Sequence, residues 1–272
     1  MTRSQLTDQI KGKKSFLCVG LDPDLQKIPD HLRSRPNGIV EFNKQIIDAT
    51  KDYCVSYKIN TAFYEALGAR GWDAIEETCD YIPDSHFKIA DAKRADIGNT
   101  SSYYAKAFFE KLKFDAVTVA PYMGKDSISP FLEYENKWTI VLGLTSNPGA
   151  QDFETKLLSD GQPLYEHVIK TVSTWGHAEN LMFVIGATQA NQFQQIRQLI
   201  PEHFLLVPGV GTQGGSLQDV ARFGMNKDCG LLINVSRDII YSGTGEDFAN
   251  IAAAKASAYQ KEMIAHINSI MK

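Results

Sequence analysis

Cysteine is scarce in this sequence. Cys18, Cys54, Cys79 and Cys229 are the only four, and no two of them form a C-x-x-C pair. That scatter excludes a disulfide framework and a cysteine-based zinc site. Free thiols in or beside apolar runs behave as small hydrophobes and fit a reducing cytoplasm. A basic stripe is also lacking. Lys and Arg number 28 against 32 Asp and Glu, for a net charge of −4. Nucleic acid is therefore not an expected partner, and an anionic ligand would need a local site. No apolar run approaches the ~18 residues needed to span a bilayer. The opening "MTRSQLTDQIKGKKS" has no apolar core of a signal peptide. Low-complexity segments and interdomain linkers are absent as well. The expectation is one cytoplasmic domain over residues 1–272, without a membrane partner.

Eight short apolar runs are present: 15–22, 53–60, 86–91, 114–121, 138–145, 181–188, 203–210 and 230–236. Each is rich in Val, Ile, Leu or Phe, as strands buried on both faces of a parallel sheet must be. Helical patterns lie between them. In 38–52, Ile39, Phe42, Ile46 and Ile47 share one face. In 247–270, Phe248, Ile251, Ala254 and Ala258 recur at helical spacing. Eight strand–helix units at a period of ~30 residues predict a (β/α)8 TIM barrel. An open doubly wound sheet is the alternative. Residues 146–162, polar and Gly/Pro-containing, predict a long loop after the fifth strand.

Function in a parallel barrel collects at the C-terminal strand ends. Strand one ends in Asp22-Pro23, either a turn or a carboxylate placed for sugar hydroxyls. Strand two carries Lys58, costly in a buried strand unless it is paired. Strand three ends in "DAKRAD", where Asp91 and Lys93, two apart, are expected to share one side of an extended chain. With Asp96 they form an alternating array, Lys58, Asp91, Lys93, Asp96. Each lysine there helps its neighbouring carboxylates stay ionised, and the reverse. Lys88 and Arg94 fall outside it.

Strand five runs into Ser146, a turn residue or a donor to a polar heterocycle. Strand seven runs into "PGVGTQGG", whose glycines let backbone approach a phosphate, with a helix starting near Ser216 aimed at the same anion. Strand eight ends in Ser236-Arg237, and a guanidinium there can grip phosphate bidentately.

"DAKRADIGNT" (91–100) resembles the D-x-K-x-x-D-I-x-x-T signature of the orotidine 5′-phosphate decarboxylase family. "PGVGTQGG" is similar to that family's phosphate loop, and Ser236-Arg237 to its last strand end. The likeness runs from strand one to strand eight and points to the longer bacterial branch (type 2). The resemblance implies conversion of orotidine 5′-monophosphate to UMP and CO2 in de novo pyrimidine synthesis, with no metal and no cofactor. It implies that Lys93 protonates C6 of the pyrimidine and that Asp91 sits beside the departing carboxylate. Lys58 and Asp96 would hold the charge array and contact ribose, and Asp22 would bind a ribose hydroxyl. Ser146 and Gln213 would contact the base, with Gln213 also reaching toward phosphate. Gly211, through its backbone, and Arg237 would hold the phosphate. Ile97, Pro208, Gly209 and Ser236 belong to the same substrate-binding set. It further implies a homodimer in which Asp96 and Thr100 serve the neighbouring subunit's site.

Two other classes compete. Mg2+-dependent sugar-phosphate decarboxylases and aldol-type synthases share a similar strand end, but they place a carboxylate at strand two, where Lys58 would repel the metal. A non-catalytic phosphate-binding barrel would have little use for four clustered charges.

Overall fold

The computed structural model describes residues 1–211 and 214–270. Eight parallel strands close into a barrel in sequence order. They are β1 Leu17–Gly20, β2 Ser56–Asn60, β3 Phe87–Arg94, β4 Ala116–Val119, β5 Trp138–Leu144, β6 Leu181–Ile185, β7 Phe204–Pro208 and β8 Leu231–Val235. Pairing of β8 with β1 completes the ring. Seven strands lie within the predicted runs; β3 starts in its run and extends three residues beyond it. Their side chains are almost all buried, because a barrel strand packs against helices outside and other strands inside.

The helix Arg3–Lys13 closes the bottom. Its cap is reciprocal: Thr2 accepts from the Gln5 N–H, and the Gln5 side chain accepts from the Thr2 N–H. The N-terminal ammonium lies 2.7 Å from Asp115, and Arg3 donates to the carbonyls of Ala178 and Glu202. These contacts tie the starts of several strands together, at the end opposite the site.

The helix Gly38–Thr50 buries Ile39, Phe42, Ile46 and Ile47, the predicted face. The last helix, Phe248–Ile270, packs against it, with Phe248 stacked on Phe42 at 5.1 Å between ring centroids. Its buried seam is Phe248, Ala252, Ala256, Met263 and Ile267, while Ala254 and Ala258 are exposed. The predicted spacing was helical but its phase was off. Alanines occur all round this helix, so the neighbouring helix decides which ones are covered. Among the described residues no helix is long and apolar enough to cross a membrane.

Candidate active site

Three adjacent strands deliver the charges. Asp22 lies just past β1, Lys58 is the third residue of β2, and Asp91 and Lys93 lie near the end of β3. The ladder makes them converge. Leu21 N–H donates to the Lys58 carbonyl at 2.8 Å, and Asn60 pairs with Asp91 in the β2–β3 register.

Lys58 Nζ lies 2.9 Å from Asp91 Oδ2 and 3.5 Å from Asp22 Oδ1. Lys93 Nζ lies 2.5 Å from Asp91 Oδ1. One carboxylate thus joins two ammoniums. The Lys58 side chain is 4% exposed and that of Lys93 50%. Burial alone would raise the Asp91 carboxyl, but Lys58 and Lys93 outweigh it and hold the group well below the usual range. Burial alone would lower the Lys58 ammonium, but Asp22 and Asp91 hold it above its ordinary value.

The backbone route to this contact differs from the expected extended chain. Lys93 has φ +46°, in the left-handed region, and the β3–β4 register shifts between Ala90 and Arg94. Asp91 and Lys93 therefore meet across a bulge, and not through simple alternation along a strand. Thr118 on β4 fills the bulge. Its hydroxyl accepts the Lys93 N–H at 2.9 Å and donates to Asp91 Oδ1 at 3.1 Å.

Asp96 stands apart from the array in one chain. Its carboxylate accepts the Ile97 N–H at 2.8 Å, and among the described residues no ion pair joins it to Lys58 or Lys93. Asp22 takes the second place beside Lys58. Ile97 and Thr100 are exposed at the start of the helix Gly98–Lys106. Lys88 is buried and structural: its N–H donates to Asp115 and its ammonium to Asp84. Arg94 turns away to pair with Glu65.

The opposite side of the mouth comes from β7 and β8. Gly209 and Gly211 have φ of +99° and +81°, conformations that a side chain would strain. A Cβ on Gly211 would also come 2.6 Å from the Tyr259 hydroxyl. That hydroxyl donates to Asp238, the neighbour of Arg237, at 2.8 Å. The Gly211 N–H donates to the Gly215 carbonyl at 3.3 Å. Ser216 caps the following helix, Leu217–Gly224, as its sequence position predicts. Gln213 lies outside the described residues.

A cavity of about 360 Å³ joins the two sides. Asp22, Lys58, Asp91, Pro208, Gly209, Ser236 and Arg237 all line it. That volume is enough for a small polar ligand. Ser146 is half-buried beside Gly186 at the end of β5. A larger cleft of about 850 Å³ lies away from the mouth, lined partly by Arg33 and Arg35. Those arginines are paired with Asp30 and Glu41.

Several participants were not read from the sequence. Asn60, Asn234 and Tyr241 also line the cavity. Tyr241 donates to the Asp22 carbonyl at 2.9 Å and accepts the Asp24 N–H at 2.6 Å, latching the loop after β1. Glu154, inside the long loop, accepts from the Thr145 N–H at 2.7 Å and its hydroxyl at 2.8 Å. It fixes the residue next to Ser146. A polar residue within an apolar run was the available signal for Thr118; Glu154 and Tyr241 gave none.

The family described as "Orotidine 5'-phosphate decarboxylase / HUMPS family" matches residues 15–250, which enclose every strand and every candidate site residue. The chain belongs to that family. An orotidine 5′-phosphate decarboxylase of Flavobacterium johnsoniae is 58% identical, over 99% of each chain. One from Bacteroides fragilis is 53% identical over the whole of both. The solved OMP decarboxylase of Leishmania donovani superposes with a TM-score of 0.82 at 34% identity, covering 99% of this chain and 98% of its own. Membership in the orotidine 5′-phosphate decarboxylase family thus rests on full-length similarity, and the (β/α)8 barrel is the architecture expected from the strand runs.

Proposed function

We propose that this chain decarboxylates orotidine 5′-monophosphate to UMP and CO2, the closing step of de novo pyrimidine synthesis, in the cytoplasm. It works without metal or cofactor, as a homodimer of barrels in which residues 1–272 form one domain. The observation that carries the reading is the shared Asp91 carboxylate, bridged by Lys58 and Lys93 at the rim of a cavity whose far side ends in Arg237.

The substrate phosphate lies against Arg237 and the glycine loop. Binding turns the Gly211 N–H from the Gly215 carbonyl toward phosphate, together with loop closure. Ribose hydroxyls meet Asp22 and Lys58. The base reaches Ser146, with Gln213 as its second contact. The C6 carboxylate then faces Asp91 and Lys93.

Breaking the C6–carboxylate bond releases CO2 and leaves the electron pair on C6. The ring delocalises that pair poorly. A proton passes from Lys93 Nζ to C6, giving UMP, and the lysine regains a proton from solvent. An ammonium ~4 Å from a developing carbanion stabilises it by about 4 kcal/mol at an effective dielectric constant of ~20. Repulsion between Asp91 and the substrate carboxylate acts in the ground state. Two ammoniums already offset the Asp91 charge, so this repulsion is the smaller effect.

The metal-dependent alternative is disfavoured by the donor set. Lys58 and Lys93 hold both Asp91 oxygens and Lys58 faces Asp22 Oδ1, so a cation there would meet two ammoniums. The dimer is supported by exposed Ile97, Tyr103, Tyr122 and Met123 on the segments after β3 and β4. An apolar face of this kind suits a second copy, which would bring Asp96 and Thr100 to the neighbouring mouth.

The test follows the fall in orotidine 5′-monophosphate absorbance with metal-stripped protein in EDTA. Undiminished turnover is expected. Complete loss on chelation, restored by Mg2+, would overturn the metal-free reading.

A further inference from the structure

We infer that Thr118 is a positioning residue for the proton transfer, acting through Lys93 and Asp91; the inference rests on the reading of Lys93 as proton donor. Between Ala90 and Arg94, β3 advances four residues while β4 advances two, from Val117 to Val119. Lys93 sits in the excess, on a left-handed backbone that a side-chain-bearing residue adopts only when its surroundings hold it. Thr118 is fully buried and faces that segment.

Its single hydroxyl makes two directed contacts. As acceptor it takes the Lys93 N–H, which the bulge has removed from the regular ladder. As donor it gives its proton to Asp91 Oδ1, the oxygen on which Lys93 Nζ also rests. The backbone of the lysine, its ammonium and the carboxylate are therefore tied to one oxygen atom on the adjacent strand. Asp91 Oδ2 is left to Lys58. The hydroxyl thus decides which carboxylate oxygen each lysine takes, and where Nζ points when C6 needs a proton. No substrate contact is required of Thr118. Its removal should disturb the chemical step and leave the phosphate and ribose contacts in place.

Thr118→Val keeps the branched shape and deletes the hydroxyl, while Thr118→Ser keeps the hydroxyl and deletes a methyl. A misplacement of about 1 Å at a reacting group can cost ~100-fold in rate. The valine variant is expected to lose about 10- to 100-fold in kcat, with KM and UMP affinity within ~3-fold of wild type. The serine variant is expected to recover kcat to within ~3-fold. Unchanged UMP affinity verifies that the valine protein is folded. Near-wild-type kcat in Thr118→Val would overturn the inference. Equal losses in the two variants would also overturn it, since packing alone would then explain them. Lys93→Ala is assayed alongside. If that variant keeps turnover, the proton-donor reading falls and the inference with it. If it is inactive while Thr118→Val is normal, the inference alone fails.

Discussion

Lys58 and Asp91 form a buried ion pair across the β2–β3 ladder, 2.9 Å from Nζ to Oδ2. Burial and charge oppose each other here, and charge wins in both groups. Lys58→Met keeps the aliphatic stem, leaves Asp91 with Lys93 as its remaining ammonium, and takes from Asp22 the ammonium it faces. Breaking a buried pair from one side is expected to cost about 3 kcal/mol of stability. Lost preorganised charge is expected to lower kcat by ~100-fold or more. Urea unfolding and the decarboxylation rate measure the two effects separately.

Acid sensitivity should come from elsewhere. The lowered Asp91 contributes stability above its unfolded value of about 3.9 and loses it only as pH falls through the lower folded value. The raised Lys58 contributes below about 10.4 and loses it above that. The pair is therefore stable in charge from about pH 4 to 10. His86 and His203 behave differently. Burial lowers both to about 4, helped by Lys13 beside His86 and by Arg197 and Arg3 near His203. Each is neutral in the folded protein where the unfolded chain would be charged. Their contribution is present above about pH 6.5 and lost as pH falls toward 4, up to about 1.4 kcal/mol per pH unit each. Urea midpoints should drop between pH 7 and 5, and His203→Phe should reduce the drop. An identical drop in that variant would contradict the assignment.

Arg237 is exposed at the cavity rim and its loss should leave folding intact. Removing a charge-assisted contact to phosphate costs about 1.5–3 kcal/mol. Arg237→Ala is thus expected to weaken UMP binding by roughly 10- to 100-fold with an unchanged melting temperature. Unaltered UMP affinity by calorimetry would remove Arg237 from the phosphate site.

Asp96 offers a test of subunit sharing. In one chain it pairs with neither Lys58 nor Lys93. Mixing inactive Lys93→Ala with inactive Asp96→Ala chains should restore activity, since mixed dimers carry one intact site. Up to about a quarter of wild-type activity is expected from random 1:1 exchange, half of the dimers being mixed with one good site each. No recovery after verified subunit exchange would count against the shared site.

The strands were legible because barrel strands are covered on both faces, leaving unbroken apolar runs such as those around Val19 and Ile233. Asp22, Lys58, Asp91 and Arg237 were legible because polar side chains at the ends of such runs stand out. The left-handed backbone of Lys93 was not, since it depends on a shifted β4 register and on Thr118, 25 residues away. The phase of the last helix was hidden by alanines on every face. Glu154 looked like any loop acid, because its partner Thr145 is fixed only by the fold.

The most direct measurement is UMP formation by Lys93→Ala, with UMP affinity determined on the same protein. The account expects product formation to vanish from the assay while UMP binding remains measurable. Near-normal turnover by that variant would contradict Lys93 as the proton donor.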